Sequence, residues 1–264
     1  MTIISLLLLA SLLPHLTFTG ETELITHVGI VNGREAKPHS RPYMVCLQKN
    51  WLHVCGGFLI SDEFVLTAAH CRENSETLTV VVGAHDLKNK TEGSVRFGVK
   101  SYHQHPNFTE GNNLCVFELQ LEETVKLNNY VKWISLPKNG EDVEANTLCS
   151  VAGWGRLWTD GPLSDRLMEA NVYIMNSRAC YKRWPEIDYS VSQMMCTYAY
   201  GGFCNGDSGG PLVCGDTAVG VVSFCHTYRC NSPENPNVYT KISAYIFHGS
   251  TKTLEMLRDF MKKK

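Results

Sequence analysis

Between Tyr43 and Lys241 the chain is a succession of short apolar segments, none longer than eight residues, broken by Gly, Pro, Asn and Asp. The segments Tyr43–Gln48, Val54–Ser61, Phe64–Thr67, Leu78–Val82, Val95–Tyr102 and Leu114–Leu121 read as strands, and so do Leu148–Gly153, Leu167–Ile174, Pro211–Cys214, Ala218–Phe224 and Asn237–Lys241. Strands this short cannot bury a core one at a time, so the pattern predicts closed barrels or sandwiches. With 264 residues, there is enough chain for one large all-β domain or two smaller ones. Two stretches depart from the pattern. Asn176 to Trp184 predicts a short helix with Asn176 as its cap. From Ser250 to Lys263, Leu254, Leu257 and Met261 recur at helical spacing beside Phe260 with lysines opposite, which predicts an amphipathic helix packed on the body.

Ile3 to Leu13 is almost wholly apolar, too short to span a bilayer and matched to the core of a secretory leader. The reading is a signal peptide over 1–20, a propeptide over 21–29 and one domain over 30–264. The 11 cysteines contain no Cys-x-x-Cys pair, so they read as a disulfide framework of an oxidising compartment rather than a metal site. Their odd count leaves at least one thiol unpaired, which permits a covalent dimer of an otherwise monomeric protein. The sequons at Asn89 and Asn107 agree with a secreted or granule-stored protein. The formal net charge is −2, and losing residues 1–29 removes Glu21 and Glu23 and no base, leaving a neutral chain. Nucleic-acid binding through a basic face therefore has no support.

Two stretches carry chemistry. In Gly206-Asp207-Ser208-Gly209-Gly210-Pro211 one hydroxyl sits on a glycine-bounded turn, where the amides of Gly206 and Ser208 have the freedom to converge on one oxygen. In Leu66-Thr67-Ala68-Ala69-His70-Cys71 a histidine follows small residues and precedes a cysteine, with Cys55 sixteen residues upstream of Cys71. That makes His70 a candidate general base for Ser208. The Gly-x-Ser-x-Gly elbow of α/β hydrolases also fits Gly206–Gly210, but it needs a histidine after the serine and alternating helices. Only His226 and His248 follow, in a strand-rich pattern. His103 and His105 lack a third ligand and read as a surface strand, so no metal and no cofactor is expected.

These stretches, with Ile30-Val-Asn-Gly33, Lys37-Pro-His-Ser-Arg-Pro-Tyr-Met44, Ala152-Gly-Trp-Gly155 and Val238-Tyr-Thr-Lys241, resemble the chymotrypsin-fold serine endopeptidases of the granzyme and mast-cell protease branch, over nearly the whole segment from Ile30 to Tyr245. The resemblance implies two six-stranded antiparallel β-barrels, about 30–135 and 136–245, with the active site between them and a terminal helix over about 250–263. It implies Ser208 as nucleophile, His70 as base and the Gly206 and Ser208 amides as oxyanion hole. It implies an ion pair between Asp207 and the ammonium of Ile30 freed by cutting after Gly29. The implied disulfides are Cys55–Cys71, Cys149–Cys214, Cys180–Cys196 and Cys204–Cys230, leaving Cys46, Cys115 and Cys225. The implied partners are protein or peptide substrates and protease inhibitors.

The sequence departs from the family in two places. The third catalytic residue should be an aspartate opening an apolar strand, but this chain reads Asn112-Asn113-Leu114-Cys115-Val116-Phe117. Ungapped alignment puts Cys115 there, and matching the Asn pair puts Asn113 there; neither is a carboxylate. In the family's best-studied member, replacing that aspartate by asparagine lowers kcat about 10⁴-fold, or about 5.5 kcal/mol of barrier. Strongly reduced peptidase activity is therefore expected, with a catalytically silent binding module as the alternative. In the primary pocket, whose strand for pairing with substrate is Ser223-Phe224, the base position is Gly202 rather than aspartate. Cleavage after Lys or Arg is thus not expected. Cys225 and Asn237 replace usual glycines on the walls, which narrows the pocket or is a harmless loop change.

Overall fold

The computed structural model describes residues 30–72, 77–89, 93–104, 116–138, 142–187 and 189–246. The chain enters through β1 (Arg34–Glu35) and then builds a first barrel from β2 (Met44–Lys49), β3 (Leu52–Leu59), β4 (Phe64–Ala68), β5 (Thr79–Val82), β6 (Val95–Gln104) and β7 (Val116–Leu121). These close in the order β2-β3-β4-β7-β6-β5. A second barrel follows from β8 (Leu148–Gly153), β9 (Met168–Ile174), β10 (Met194–Tyr198), β11 (Pro211–Cys214), β12 (Thr217–Phe224) and β13 (Val238–Lys241). Its order is β9-β10-β13-β12-β11-β8, and pairing of β8 with β9 closes it. Every ladder pairing is antiparallel, and the architecture is the expected pair of six-stranded barrels.

Period-two alternation shows where a strand has one wet face. In β9, Met168, Ala170, Val172 and Ile174 are buried while Glu169, Asn171 and Tyr173 turn outward. Strand β4 is buried at all five positions, and Gly209 of the second barrel's loop presses on its Thr67 and Ala68. Two main apolar clusters result: Val45, Leu47, Phe58, Val65 and Leu119 fill the first barrel in a cluster that reaches Val213, Ala218 and Val221 of the second, and Val151, Met168, Val172, Leu212 and Tyr239 fill the second. Before barrel one, β1 pairs with β9 of barrel two, and Glu169 there binds both Arg34 and Arg41 at 2.9 Å. The chain start is thus fastened across both halves.

The short helix is α1 (Ser177–Arg183), and the Asn176 side chain accepts from the amides of Arg178 and Ala179 at 3.0 and 3.2 Å. A last turn, α2, covers Ser243–Ile246; the helix expected over 250–263 lies outside the described residues. Two elements differ from the sequence reading. β2 and β3 extend toward each other through a two-residue turn, Asn50-Trp51, with φ of 48° and 70°. That primed-turn geometry suits Asn but is costly for Trp, so the turn is not legible from residue preference. β10 is an additional strand, and its Met-Met-Cys-Thr-Tyr run has no strong turn residue before it.

Four disulfides are formed, Cys55–Cys71, Cys149–Cys214, Cys180–Cys196 and Cys204–Cys230, the same pairs as the resemblance implies. Cys46 and Cys225 are free thiols, and Cys115 lies outside the described residues. No helix among the described residues is long and apolar enough to cross a membrane.

One buried charge site stands out on the first barrel. Glu118 sits in the β7 ladder between Leu66 and His103, 8 % exposed, and its Oε1 has no hydrogen-bond partner among the described residues. Burial pushes its carboxyl up from the ordinary 4.5 to about 7. Between those pH values the folded chain keeps a proton that the unfolded chain releases, so the site is most favourable below pH 4.5 and loses stability as pH rises through 7. Glu118→Gln is expected to gain melting temperature over the parent increasingly from pH 5 to pH 8, worth on the order of 3 kcal/mol at the upper end. Differential scanning calorimetry across that range checks it, and a pH-independent difference would contradict the assignment.

Candidate active site between the barrels

Strand β4 ends at Ala68, and the chain turns through a single 3-10 turn, Ala69–Cys71, that carries His70. The Cys55–Cys71 bridge pins this turn to β3. The imidazole lies within 4.8 Å of both bridge sulfurs, but those sulfurs are bonded to each other and offer no thiolate to a metal.

From the second barrel, the loop before β11 carries Gly206, Asp207 and Ser208. Two backbone bonds seat it against the first barrel and its own sheet, Gly56 N–H to Ser208 O at 2.8 Å and Gly209 N–H to Val222 O at 2.9 Å, and Gly210 N–H to Asp207 O at 3.0 Å closes the loop on itself. Gly209 has φ of +81°, and a Cβ there would run into the Thr67 hydroxyl and the Gly56 carbonyl. The residue after the serine is thus pressed directly onto the strand that delivers the histidine. His70, Gly206, Ser208, Ser223, Phe224 and Cys225 line one cleft of about 550 Å³ between the barrels. The expected nucleophile, base, oxyanion-hole residues and substrate strand are thereby brought to one place.

Asp207 points the other way and is fully buried. Gly155 N–H donates to its Oδ1 at 2.7 Å and Cys204 N–H to its Oδ2 at 3.0 Å. A Cβ on Gly153 or Gly155 would collide with this carboxylate, which explains both glycines of Ala152-Gly-Trp-Gly155. Burial pushes Asp207 up to about 7 against the lowering effect of the two amides. Ile30 is 0 % exposed, and Val31 bridges to Gly202 with Gly202 N–H donating to Val31 O at 3.0 Å. Ile30 has φ of +35°, an unfavourable value for a β-branched residue.

His53, on β3, is a residue the sequence reading did not single out. The Gly206 carbonyl lies 2.9 Å from its Nε2, and the Cys46 thiol 3.0 Å from its Nδ1. A carbonyl only accepts, so Nε2 carries the hydrogen and Nδ1 takes the thiol hydrogen. Burial lowers His53 to about 4 and pushes Cys46 up to about 12, so the pair is neutral at pH 7. It holds the carbonyl of Gly206, a residue of the cleft lining. Nothing in the sequence distinguishes His53 from any other strand histidine, because its partner is 153 residues away.

Several expected residues lie elsewhere. Gly202 and Asn237 are buried behind the cleft rather than on its lining. Asn113 and Cys115, the candidates for the acid position, fall outside the described residues, as do Asn107 and His105. Val116, the residue after Cys115, pairs with Ala68, two residues before His70. His103 places Nε2 at 2.7 Å from the Ser101 hydroxyl. Asn89 is exposed.

The sequence profile of the trypsin family matches residues 30–247, and the chain belongs to that family. It is 38 % identical to serine protease 57 of Rattus norvegicus, over 82 % of this chain and 80 % of that protein. It is 37 % identical to mast cell protease 3 of Ovis aries, over 82 % and 86 %, and 36 % identical to duodenase-1 of Bos taurus, over 92 % and 93 %. Among solved structures, mouse neuropsin superimposes with a TM-score of 0.73 at 30 % identity, covering 87 % of this chain and 98 % of that one.

The His53 latch makes a separate prediction. Its ordinary 6.5 falls to about 4 in the fold, so between those values the unfolded chain binds a proton the folded chain refuses, and stability is lost as pH falls. His53→Gln keeps a donor for Gly206 without this titration. Its melting temperature relative to the parent is expected to rise as pH is lowered from 7 to 4; a constant difference would count against a buried neutral imidazole.

Proposed function

We propose that this protein is a secreted or granule-stored serine-endopeptidase homologue with Ser208 as nucleophile and His70 as general base, whose peptidase activity is strongly reduced because the acid position holds Cys115. The observation that carries this is the shared cleft lined by His70, Ser208 and Gly206, next to a strand entry, Asn113-Leu114-Cys115, whose sequence holds no acid. The Val116–Ala68 pairing supports Cys115 over Asn113 as the residue at that position, because Cys115 immediately precedes the paired residue. A neutral thiol orients imidazole weakly and does not stabilise the imidazolium formed as Ser208 attacks a carbonyl. The attack itself would be supported by Gly206 and Ser208 amides facing the developing oxyanion.

Activation follows the same logic. Cutting the Gly29–Ile30 bond abolishes the φ torsion now held at +35° and creates an ammonium on a buried residue; the resemblance pairs it with Asp207, whose carboxyl burial holds near 7. An ion pair there would ionise Asp207 fully and stiffen the Gly206–Ser208 loop. The leader, the propeptide and the Asn89 and Asn107 sequons support passage through a secretory route, which the four disulfides suit.

A fluorophosphonate probe on protein cut before Ile30, with mass spectrometry of the Ser208 peptide, tests the reading. Labelling is expected to be orders of magnitude slower than for active relatives, and Cys115→Asp is expected to accelerate it by about 10²–10⁴-fold. Labelling of the parent at rates typical of active relatives would sink the reduced-activity reading. In the Cys115→Asp background, Asp207→Asn is expected to abolish the gain without lowering secretion; retained labelling would remove Asp207 from activation. A second reading, a silent homologue that binds polypeptides in the same cleft, is favoured by the absent carboxylate. It predicts no labelling of the parent together with retained binding of peptides.

A further inference from the structure

We infer that Arg96 and Gln48 are positioning residues for the serine loop: with Cys46 and His53 they form a one-way relay of hydrogen bonds that carries the pull of a surface cation to the carbonyl of Gly206. The consequence for catalysis rests on the reading of Gly206 as an oxyanion-hole residue; the relay itself does not. Arg96, exposed on β6, donates from Nη1 to Gln48 Oε1 at 2.7 Å, and Gln48 Nε2 donates to Cys46 Sγ at 3.5 Å. Cys46 Sγ lies 3.0 Å from His53 Nδ1, and His53 Nε2 lies 2.9 Å from Gly206 O. The two ends fix the direction. A guanidinium only donates and a carbonyl only accepts, so with the imidazole neutral each group between them accepts from the Arg96 side and donates toward Gly206. The other acceptor near the thiol, Leu47 O, is 4.0 Å away. Gln48 and Cys46 are 5 % and 0 % exposed, which shields the middle of the relay from water.

Hydrogen bonds aligned in this way polarise one another, because a group that accepts on one side becomes a better donor on the other. Arg96 starts the series with a full charge. Trp51 keeps that charge in place: the guanidinium carbon lies 4.1 Å from the centre of the indole, which the Asn50-Trp51 turn, with φ of 70° at Trp51, lays beneath it. A turn that residue preference resists thereby acquires a use. At the other end, the backbone on both sides of Gly206 is held. Arg156 N–H donates to Asn205 O at 2.8 Å and Asp207 N–H to Cys204 O at 3.0 Å, while His53 takes the Gly206 carbonyl. The Gly206 N–H shares a planar peptide with the Asn205 carbonyl, and Gly206, at φ of +96°, has no Cβ to restrict its turning. Its direction therefore depends on these bonds, and the relay sets the strength of the one from His53.

NMR on the isotope-labelled, uncut protein tests the relay without needing activity. Arg96→Met keeps a long side chain and removes both charge and donor. It is expected to move the His53 Nε2 proton upfield, to speed the exchange of that proton with water severalfold and to shift the amide resonances of Gly206 and Asp207. The same change is then made in Cys46→Ser, which still accepts and donates, and in Cys46→Ala, which cuts the relay at its middle. The Arg96 effect is expected to persist with serine and to vanish with alanine. An unmoved Nε2 proton in Arg96→Met, or a shift of equal size in all three backgrounds, would overturn the proposal, and the first of these outcomes needs no buried substitution. Catalysis is read separately, on Cys115→Asp protein cut before Ile30, where Arg96→Met is expected to slow fluorophosphonate labelling about tenfold. A moved Nε2 proton with an unchanged labelling rate would overturn the positioning role. If the Cys115→Asp protein does not label at all, the nucleophile reading fails on its own, and the resonance comparison still decides the relay.

Discussion

The buried carboxylate of Asp207 is the constraint around which the site is arranged. It draws in the Gly155 and Cys204 amides, and it requires bare Cα positions at Gly153 and Gly155. It lies fully buried directly before Ser208 in the loop that presents it. Trp154, wedged between the two glycines and 0 % exposed, donates from its indole to His85 O at 3.0 Å and so carries the constraint into the first barrel. The two amides offset only part of what burial costs this carboxylate, and its upward shift expresses the remainder.

Ionisation around the cleft is managed by burial more than by charge pairing. Cys46 and His53 remain neutral because desolvation moves them in opposite directions, one thiol up and one imidazole down. Cys225, on the cleft lining, is likewise pushed to about 12 by burial, with the Asp207 charge adding to it. A thiol of that kind is a packing residue rather than a reactive one. The Gly206 loop and its latch are formed, while the sequence holds no acid at Asn113, Cys115 or Gly202.

Much of this was legible in the sequence, for identifiable reasons. Short strands of period two and turn residues give the barrels, as β9 illustrates, and a free-standing cap such as Asn176 announces its helix from local chemistry alone. Gly206–Pro211 and the histidine turn are contiguous, so their roles are readable as motifs. What escaped depends on distant partners. His53 acquires meaning only from Gly206, and Asn237 only from the carbonyls of Phe203 and Cys230. The Asn50-Trp51 turn escaped because tertiary context holds a tryptophan in a conformation its own preference resists.

Each barrel draws its six strands from one stretch of the chain, whereas the His53–Gly206 bond joins residues 153 apart. Closing so long a loop costs more entropy than the shorter closures within each barrel, so the seam contacts have more to offset. A substitution that loosens the Gly56–Ser208 or His53–Gly206 contacts would leave two intact barrels with their spectroscopic signature unchanged and still have no assembled site between them.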